Sequence, residues 1–206
     1  MELLLVRHAI PERRIVDHGP ADPELSDAGH RQSELLAAYL GSESFDALYS
    51  SPLRRALQTA DPLGRTVNLP TVIVDGVAEF DRHSSEYVPV EELKRSNDPR
   101  WRQLVETGMT GSEEDAADFH DRVVSTIEGL VSAHPSGKIA VVCHGGVINT
   151  YLAHVLDLPG RRAFFYPNYT SIHRVAAARS GERAVVTVNE TAHLRGSGLP
   201  VGLLSN

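Results

Sequence analysis

The chain has a single cysteine, Cys143, among 206 residues, so no internal disulfide can form and nothing points to an oxidising compartment. Long apolar runs are missing as well. Leu3-Leu4-Leu5-Val6 is far too short for a membrane span or the core of a secretion signal, and no basic leader or cleavage site precedes it. A cytoplasmic location without membrane attachment is therefore the expectation. Positive charge is in deficit: 20 Lys and Arg against 27 Asp and Glu give a formal net charge of −7, which argues against nucleic acid or an anionic membrane as the main partner. None of the 10 histidines falls in an H-x-x-x-H or H-E-x-x-H pattern, so no metal is expected. No G-x-S-x-G surrounds Ser50 and Ser51, which read as turn and helix-cap residues rather than nucleophiles. Neither repeats nor low-complexity segments break the chain, and its length suits one α/β domain over residues 1–206.

Two buried-strand signals stand out. Leu3–Val6 ends abruptly in Arg7-His8, with Ala9 and Pro11 preventing continuation, and Ile139–Cys143 ends in His144-Gly145-Gly146. Between them the pattern predicts a helix capped by Ser26 through Leu40, a strand over Phe45–Tyr49, and a helix from Leu53 to about Leu63 carrying Arg54 and Arg55 in its first turn. A strand at Thr71–Val74 leads into Asp75–Phe80. An insert at about residues 82–111, of mixed charge and holding the lone Trp101, reads as a small cap with short helices near Val90–Ser96 and Arg100–Thr107. Ser112 is the expected N-cap of a long helix with Glu113, Glu114 and Asp115 in its first turn. A helix from Val147 to about Leu156 and a hairpin-like pair, Ser171–Ala178 and Arg183–Asn189, complete the pattern. The apolar Leu199–Leu204 tail can pack on its own core or on a second copy, which leaves a homo-oligomer open.

This alternation indicates an α/β fold: a three-layer α/β/α sandwich with a mostly parallel central sheet. Parallel strands end at one edge, where ligands of such sheets sit. The topology collects Arg7, His8, Arg55, Glu79 and His144 there. Residues 1–12 alone fit an Arg-His pair that merely reaches solvent equally well. As a set, the five carry a definite chemistry. Guanidinium groups grip phosphate or carboxylate oxygens through paired donors, and Gly145-Gly146 opening a helix adds a seat for an anion. A neutral imidazole is a competent nucleophile, and a buried Glu79 can protonate a leaving oxygen, with Asp81 as the rival acid. Arg82, Lys94, Arg95, Arg100 and Arg102 of the insert suit either an anionic substrate or a solvated face.

L-V-R-H at the start, Leu25-Ser26-x-x-Gly29-x-x-Gln32, S-S-P-L-x-R-A-x-Q-T-A over Ser50–Ala60 and V-C-H-G-G-V over Val142–Val147 together resemble the histidine phosphatase (phosphoglycerate-mutase-like) superfamily, from residue 3 to about 156. The resemblance implies that His8 is phosphorylated during turnover, that Arg7, Arg55 and His144 bind the phosphoryl oxygens, and that Glu79 acts as general acid and then base, with no metal or other cofactor. It selects Arg55 over Arg54 and implies a small phosphorylated substrate. Two departures matter. Ala9 stands where the family often has Gly, and the E-R-H-Y-G segment of true mutases is replaced by Glu79-Phe80-Asp81-Arg82-His83. Hydrolysis is therefore expected over phosphoryl shuttling; the alternatives are mutase-type transfer and a silent phospho-ligand or protein-binding scaffold.

Overall fold

The computed structural model describes residues 1–107, 114–160 and 163–203. Its framework begins with β1 (Glu2–Arg7), β2 (Arg14–Ile15), α1 (Asp27–Leu40), β3 (Ala47–Ser50), α2 (Arg54–Val67) and β4 (Thr71–Ile73). A short segment follows with β5 (Glu86–Tyr87), α3 (Val90–Arg95) and α4 (Pro99–Thr107). The chain then returns to the framework with α5 (Ala116–Ala133), β6 (Lys138–Cys143), α6 (Gly145–Val155), β7 (Ile172–Ala177) and β8 (Arg183–Glu190).

Six strands form one sheet in the order β4-β3-β6-β1-β7-β8. The pairs β3–β4, β3–β6 and β1–β6 are parallel, and β1–β7 and β7–β8 are antiparallel. The expected α/β/α sandwich is the observed one. Alternation along the strands shows why β1 and β6 read as unbroken apolar runs. Leu3, Leu5, Ile139, Val141 and Cys143 pack on α5 and α6, through Phe119, Val123, Ile127, Val147 and Ile148. Leu4, Val6, Ala140 and Val142 pack on α1 and α2, through Leu36, Leu40, Ala56, Ala60 and Leu63. With both faces covered, neither strand holds a polar residue between its first position and its end.

The register fixes that end. Arg7 lies opposite Cys143 and Ser50 opposite Val142, so His8, Ser51 and His144 follow side by side. The His8 amide donates to the Cys143 carbonyl at 2.9 Å and the Ser51 amide to the Val142 carbonyl at 3.0 Å.

Several boundaries differ from expectation. Helix α2 continues through Pro62 to Val67 and stops where Asn68 takes the left-handed conformation (φ 54°), its N–H bonded to the Gly64 carbonyl. The proline removes one ladder bond without ending a helix whose Ala56, Ala60 and Leu63 are buried, because packing outweighs the lost bond. The cap of α5 is Asp115, whose carboxylate accepts from the Ala117 amide at 2.7 Å, while Ser112 lies outside the described residues. The side chain of Asp115 has the same capping chemistry and directly precedes the apolar periodicity. The tail folds back on its own chain: Gln32 Nε2 donates to the Pro200 carbonyl at 2.5 Å and the Tyr169 amide to that of Val201 at 3.0 Å. Leu204 lies outside the described residues. Among those residues no helix is long and apolar enough to cross a membrane.

Candidate active site

The carboxyl ends of β1, β3 and β6 open onto a cavity of about 300 Å³ bordered by Arg7, His8, Arg55 and Glu79. His144 stands just behind its wall, with its ring 5.1 Å from that of His8. All five residues expected at this edge are thus brought together, and each is buried.

His8 is held in one tautomer. Its Nδ1 lies 2.7 Å from the Ala9 carbonyl, which can only accept, so Nδ1 carries the proton and Nε2 keeps a free lone pair. Burial, and then the Arg55 and Arg7 charges, lower its pKa well below 6.5, so the ring is neutral at physiological pH. The loop after His8 is clamped from both flanking helices. Thr59 Oγ1 accepts from the Ala9 amide at 2.9 Å and donates to the Arg55 carbonyl at 2.7 Å. Gln32 Oε1 accepts from the Ile10 amide at 2.8 Å, and Ser26 Oγ donates to the Ile10 carbonyl at 3.0 Å. Gly29 is required there, since a Cβ would lie 2.1 Å from that carbonyl oxygen. The L-S-x-x-G-x-x-Q and R-A-x-Q-T-A segments therefore hold the His8 loop in place. Ala9 does not adopt positive φ, so the departure from Gly carries no strain.

Two guanidinium groups face the crevice. Arg7 donates to the Pro167 carbonyl at 2.6 Å and lies 4.2 Å and 5.0 Å from the ring centres of Tyr169 and Tyr166. Both tyrosine hydroxyls donate to Glu91 of α3. Arg55 donates to Asp81 Oδ1 at 2.9 Å and lies 4.7 Å from the Tyr87 ring centre. Arg54, by contrast, is exposed and paired with Glu24. The Nε atoms of Arg7 and Arg55 and Nδ1 of His144 are buried without a hydrogen-bond partner. Buried polar atoms left without a partner are costly, and these three belong to residues grouped with His8 at the sheet edge.

Glu79 is held by two backbone donors: Oε2 accepts from the Gly146 amide at 2.8 Å and Oε1 from the Phe80 amide at 3.2 Å. Its own carboxylate, rather than a ligand, thus takes one of the helix-terminal N–H groups expected to seat an anion. Desolvation, then Asp81, raise its pKa to about 7, outweighing the lowering by the Gly146 amide and Arg55. Arg122 of α5 fixes the preceding loop by donating to the Gly76 and Ala78 carbonyls at 2.9 and 3.0 Å.

Sequence reasoning missed Ser51 as a site residue. Its Oγ lies 2.7 Å from His144 Nε2 and accepts from the Leu53 amide at 3.3 Å, so its role is to orient the imidazole. Tyr87, Tyr166, Tyr169 and Glu91 were missed too, with no motif to announce them. None of Arg82, Lys94, Arg95, Arg100 or Arg102 borders the cavity. Arg82 pairs with Asp75, and Arg100 with Glu86 and Asp98, as a solvated face would. Cys143 is buried in the core, which pushes its thiol pKa up and leaves it inert. Among the described residues no group of three or more His, Cys, Asp or Glu is placed to hold a metal ion.

Comparison with known proteins bears on the family and the fold. Phosphoserine phosphatase 1 of Hydrogenobacter thermophilus is 28% identical over 200 residues, 94% of each chain. Phosphoserine phosphatase of Entamoeba histolytica, solved with 3-phosphoglyceric acid, superposes with a TM-score of 0.73 at 26% identity, covering 94% of this chain and 98% of that one. Mycobacterial glucosyl-3-phosphoglycerate phosphatase, solved with VO3, shares the fold with a TM-score of 0.76 at 23% identity, covering 92% and 99%. The model of the histidine phosphatase superfamily (branch 1) matches residues 3–191, which takes the likeness through β7 and β8, beyond the reach of the sequence motifs. The chain belongs to the histidine phosphatase superfamily, branch 1, and its enzyme class is that of a phosphoric monoester hydrolase.

Proposed function

We propose that the chain hydrolyses small phosphate monoesters through a phosphohistidine on His8. The observation that carries this is the ring of His8, fixed with its Nε2 lone pair free, beside three buried nitrogens that have no partner: Arg7 Nε, Arg55 Nε and His144 Nδ1. Those donors suit the equatorial oxygens of a phosphoryl group, whose charge they neutralise as it transfers. Nε2 attacks phosphorus, the P–O bond to the alcohol breaks, and protonated Glu79 gives its proton to the leaving oxygen. Water then attacks the phosphohistidine, Glu79 takes the proton of that water, and the N–P bond breaks to release inorganic phosphate. Glu79 fits both roles, since an acid with a pKa of about 7 exchanges protons readily near neutrality. Asp81 serves instead as the partner of Arg55. For this chemistry the Ser51 hydroxyl, 2.7 Å from His144 Nε2, must donate to it, which leaves the His144 proton on Nδ1 for a phosphoryl oxygen.

The test is brief incubation with a 32P-labelled phosphate ester, followed by quenching. Acid-labile, alkali-stable label on wild type and none on His8→Ala is the expected result, with label released as inorganic phosphate. Transfer of label to an acceptor hydroxyl would make the chain a mutase, and absence of protein-bound label together with absence of turnover would leave only a binding scaffold.

A further inference from the structure

We infer that the alcohol carried by the substrate is bulky and apolar, of aryl or arylalkyl type, and that Trp101 and Leu104 select it. This rests on the phosphatase reading of His8 and names the substrate class of that same site. Arg7 and Arg55 border the cavity together with His8, Glu79 and Asp81, and the rest of its wall is mostly apolar, with Tyr87, Tyr166 and Asn149 as its polar members. Helix α4 presents Trp101, Leu104 and Val105 to it at i, i+3 and i+4, one face of a helix. That face is not spent on a core: Val105 is 56% exposed although it borders the cavity. Leu93 of α3 continues the wall, and Phe164 and Phe165 stand among the other lining side chains with ring centres 4.9 Å apart. The phenylalanines are fixed by Asn149, whose Nδ2 donates to the Phe165 carbonyl at 3.2 Å and whose Oδ1 accepts from the Phe164 amide at 3.1 Å.

Among the described residues the only basic side chains bordering the cavity are Arg7 and Arg55, both at the phosphate end. A second anionic group on the substrate would lose water against this wall and meet there, among the described residues, no cation beyond Arg7 and Arg55. An aromatic ring loses nothing and buries its surface. The phosphoserine named for two relatives is therefore a poor match for this chain's outer cavity, whatever it is for theirs.

The test compares kcat/KM for 3-phenylpropyl phosphate, propyl phosphate and O-phosphoserine. The two unfunctionalised alcohols are of similar acidity, so the chemical step is matched and the ring is the variable. Burial of the ring is expected to favour the phenylpropyl ester about 30-fold over propyl phosphate, with phosphoserine below both. In Trp101→Ala and Leu104→Ala the preference should shrink below about fivefold, with KM for the phenylpropyl ester rising and the thermal midpoint within a few degrees of wild type. Leu104→Arg, which adds a cation to the apolar wall, should raise the relative rate on O-phosphoserine. A wild-type ratio near one, phosphoserine as the preferred ester, or a preference untouched by the α4 substitutions would overturn the inference while label on His8 still upheld the phosphatase. No turnover of any ester and no label on His8 would overturn both.

Discussion

Replacing Gly146 by Ala separates catalysis from stability at a single atom. A Cβ at this position would lie 2.3 Å from Glu79 Oε1 and 3.0 Å from Phe80 Cδ1. Ordinary contact requires the carboxylate to retreat by about 1 Å or more, breaking its 2.8 Å bond to the Gly146 amide. The obstructed atom is the far end of a flexible side chain, so steric relief is cheap. Alanine is also the better helix former by up to about 1 kcal/mol, so the thermal midpoint should move by no more than roughly 3 °C. The chemistry has no such slack. General acid–base catalysis contributes about 10²–10⁴-fold, and a misplacement of about 1 Å can cost about 10²-fold, or ~2.7 kcal/mol in the barrier. We expect kcat/KM on an unactivated alkyl phosphate to fall about 100-fold. The phosphorylation burst with p-nitrophenyl phosphate, whose leaving group needs no proton, should fall less than fivefold. Gly145→Ala is the control, because its Cβ would meet nothing nearer than Arg7 Nε at 3.8 Å, and it should cost under tenfold. If Gly146→Ala folds like wild type and hydrolyses the alkyl ester within about fivefold of it, Glu79 is not the acid.

The pH profile of kcat/KM should fall on the alkaline side through about 7, where free Glu79 loses its proton, reaching roughly a hundredfold loss near pH 9; a flat profile to pH 9 on an alkyl ester would exclude that role. On the acid side the fall should begin well below 6.5, because His8 stays neutral there. Two helix glycines should respond oppositely in urea denaturation. Gly29→Ala, whose Cβ would meet the backbone oxygen of Ile10 at 2.1 Å, should lose about 2–3 kcal/mol, whereas Gly129→Ala, with nothing within 4 Å, should gain about 0.5–1 kcal/mol. Glu91→Ala removes the acceptor shared by Tyr166 and Tyr169, the rings against Arg7, and should weaken inhibition by inorganic phosphate about tenfold. Unchanged phosphate inhibition would show that Arg7 needs no support from α3.

Much of the framework was legible because it obeys local rules. Strands β1 and β6 announce themselves by being apolar on both faces, and Arg7, His8 and His144 by breaking that pattern at its end. The region of Arg55 and Glu79 follows from the parallel strands, whose ends share one edge, while the choice of Arg55 over Arg54 rests on the R-A-x-Q-T-A motif. The short pair β2–β5 was not legible, since two residues carry no periodicity. Nor was the support of Arg7: Glu91 reaches Tyr166 and Tyr169 across 75 and 78 residues of chain, a juxtaposition only the closed fold creates. Arg82 and Arg100 of the insert were visible, but their ion pairs with Asp75, Glu86 and Asp98 were not, and these make both of them surface charge.

One physical cause sets both halves of the proposed chemistry. Withdrawal from water disfavours whichever form of a group is charged, so the same burial drives the His8 pKa down and the Glu79 pKa up. The outcome is an imidazole with a free lone pair beside a carboxyl that keeps its proton near neutrality. Arg7 and Arg55 remain charged throughout and push His8 further in the same direction, while Arg55 moderates the rise at Glu79. Asp81 draws on Arg55 and opposes that moderation. Asp81→Asn should therefore lower the Glu79 pKa and shift the alkaline limb of the rate profile to lower pH. A shift to higher pH would mean that Asp81 acts on Glu79 chiefly by holding Arg55 in place.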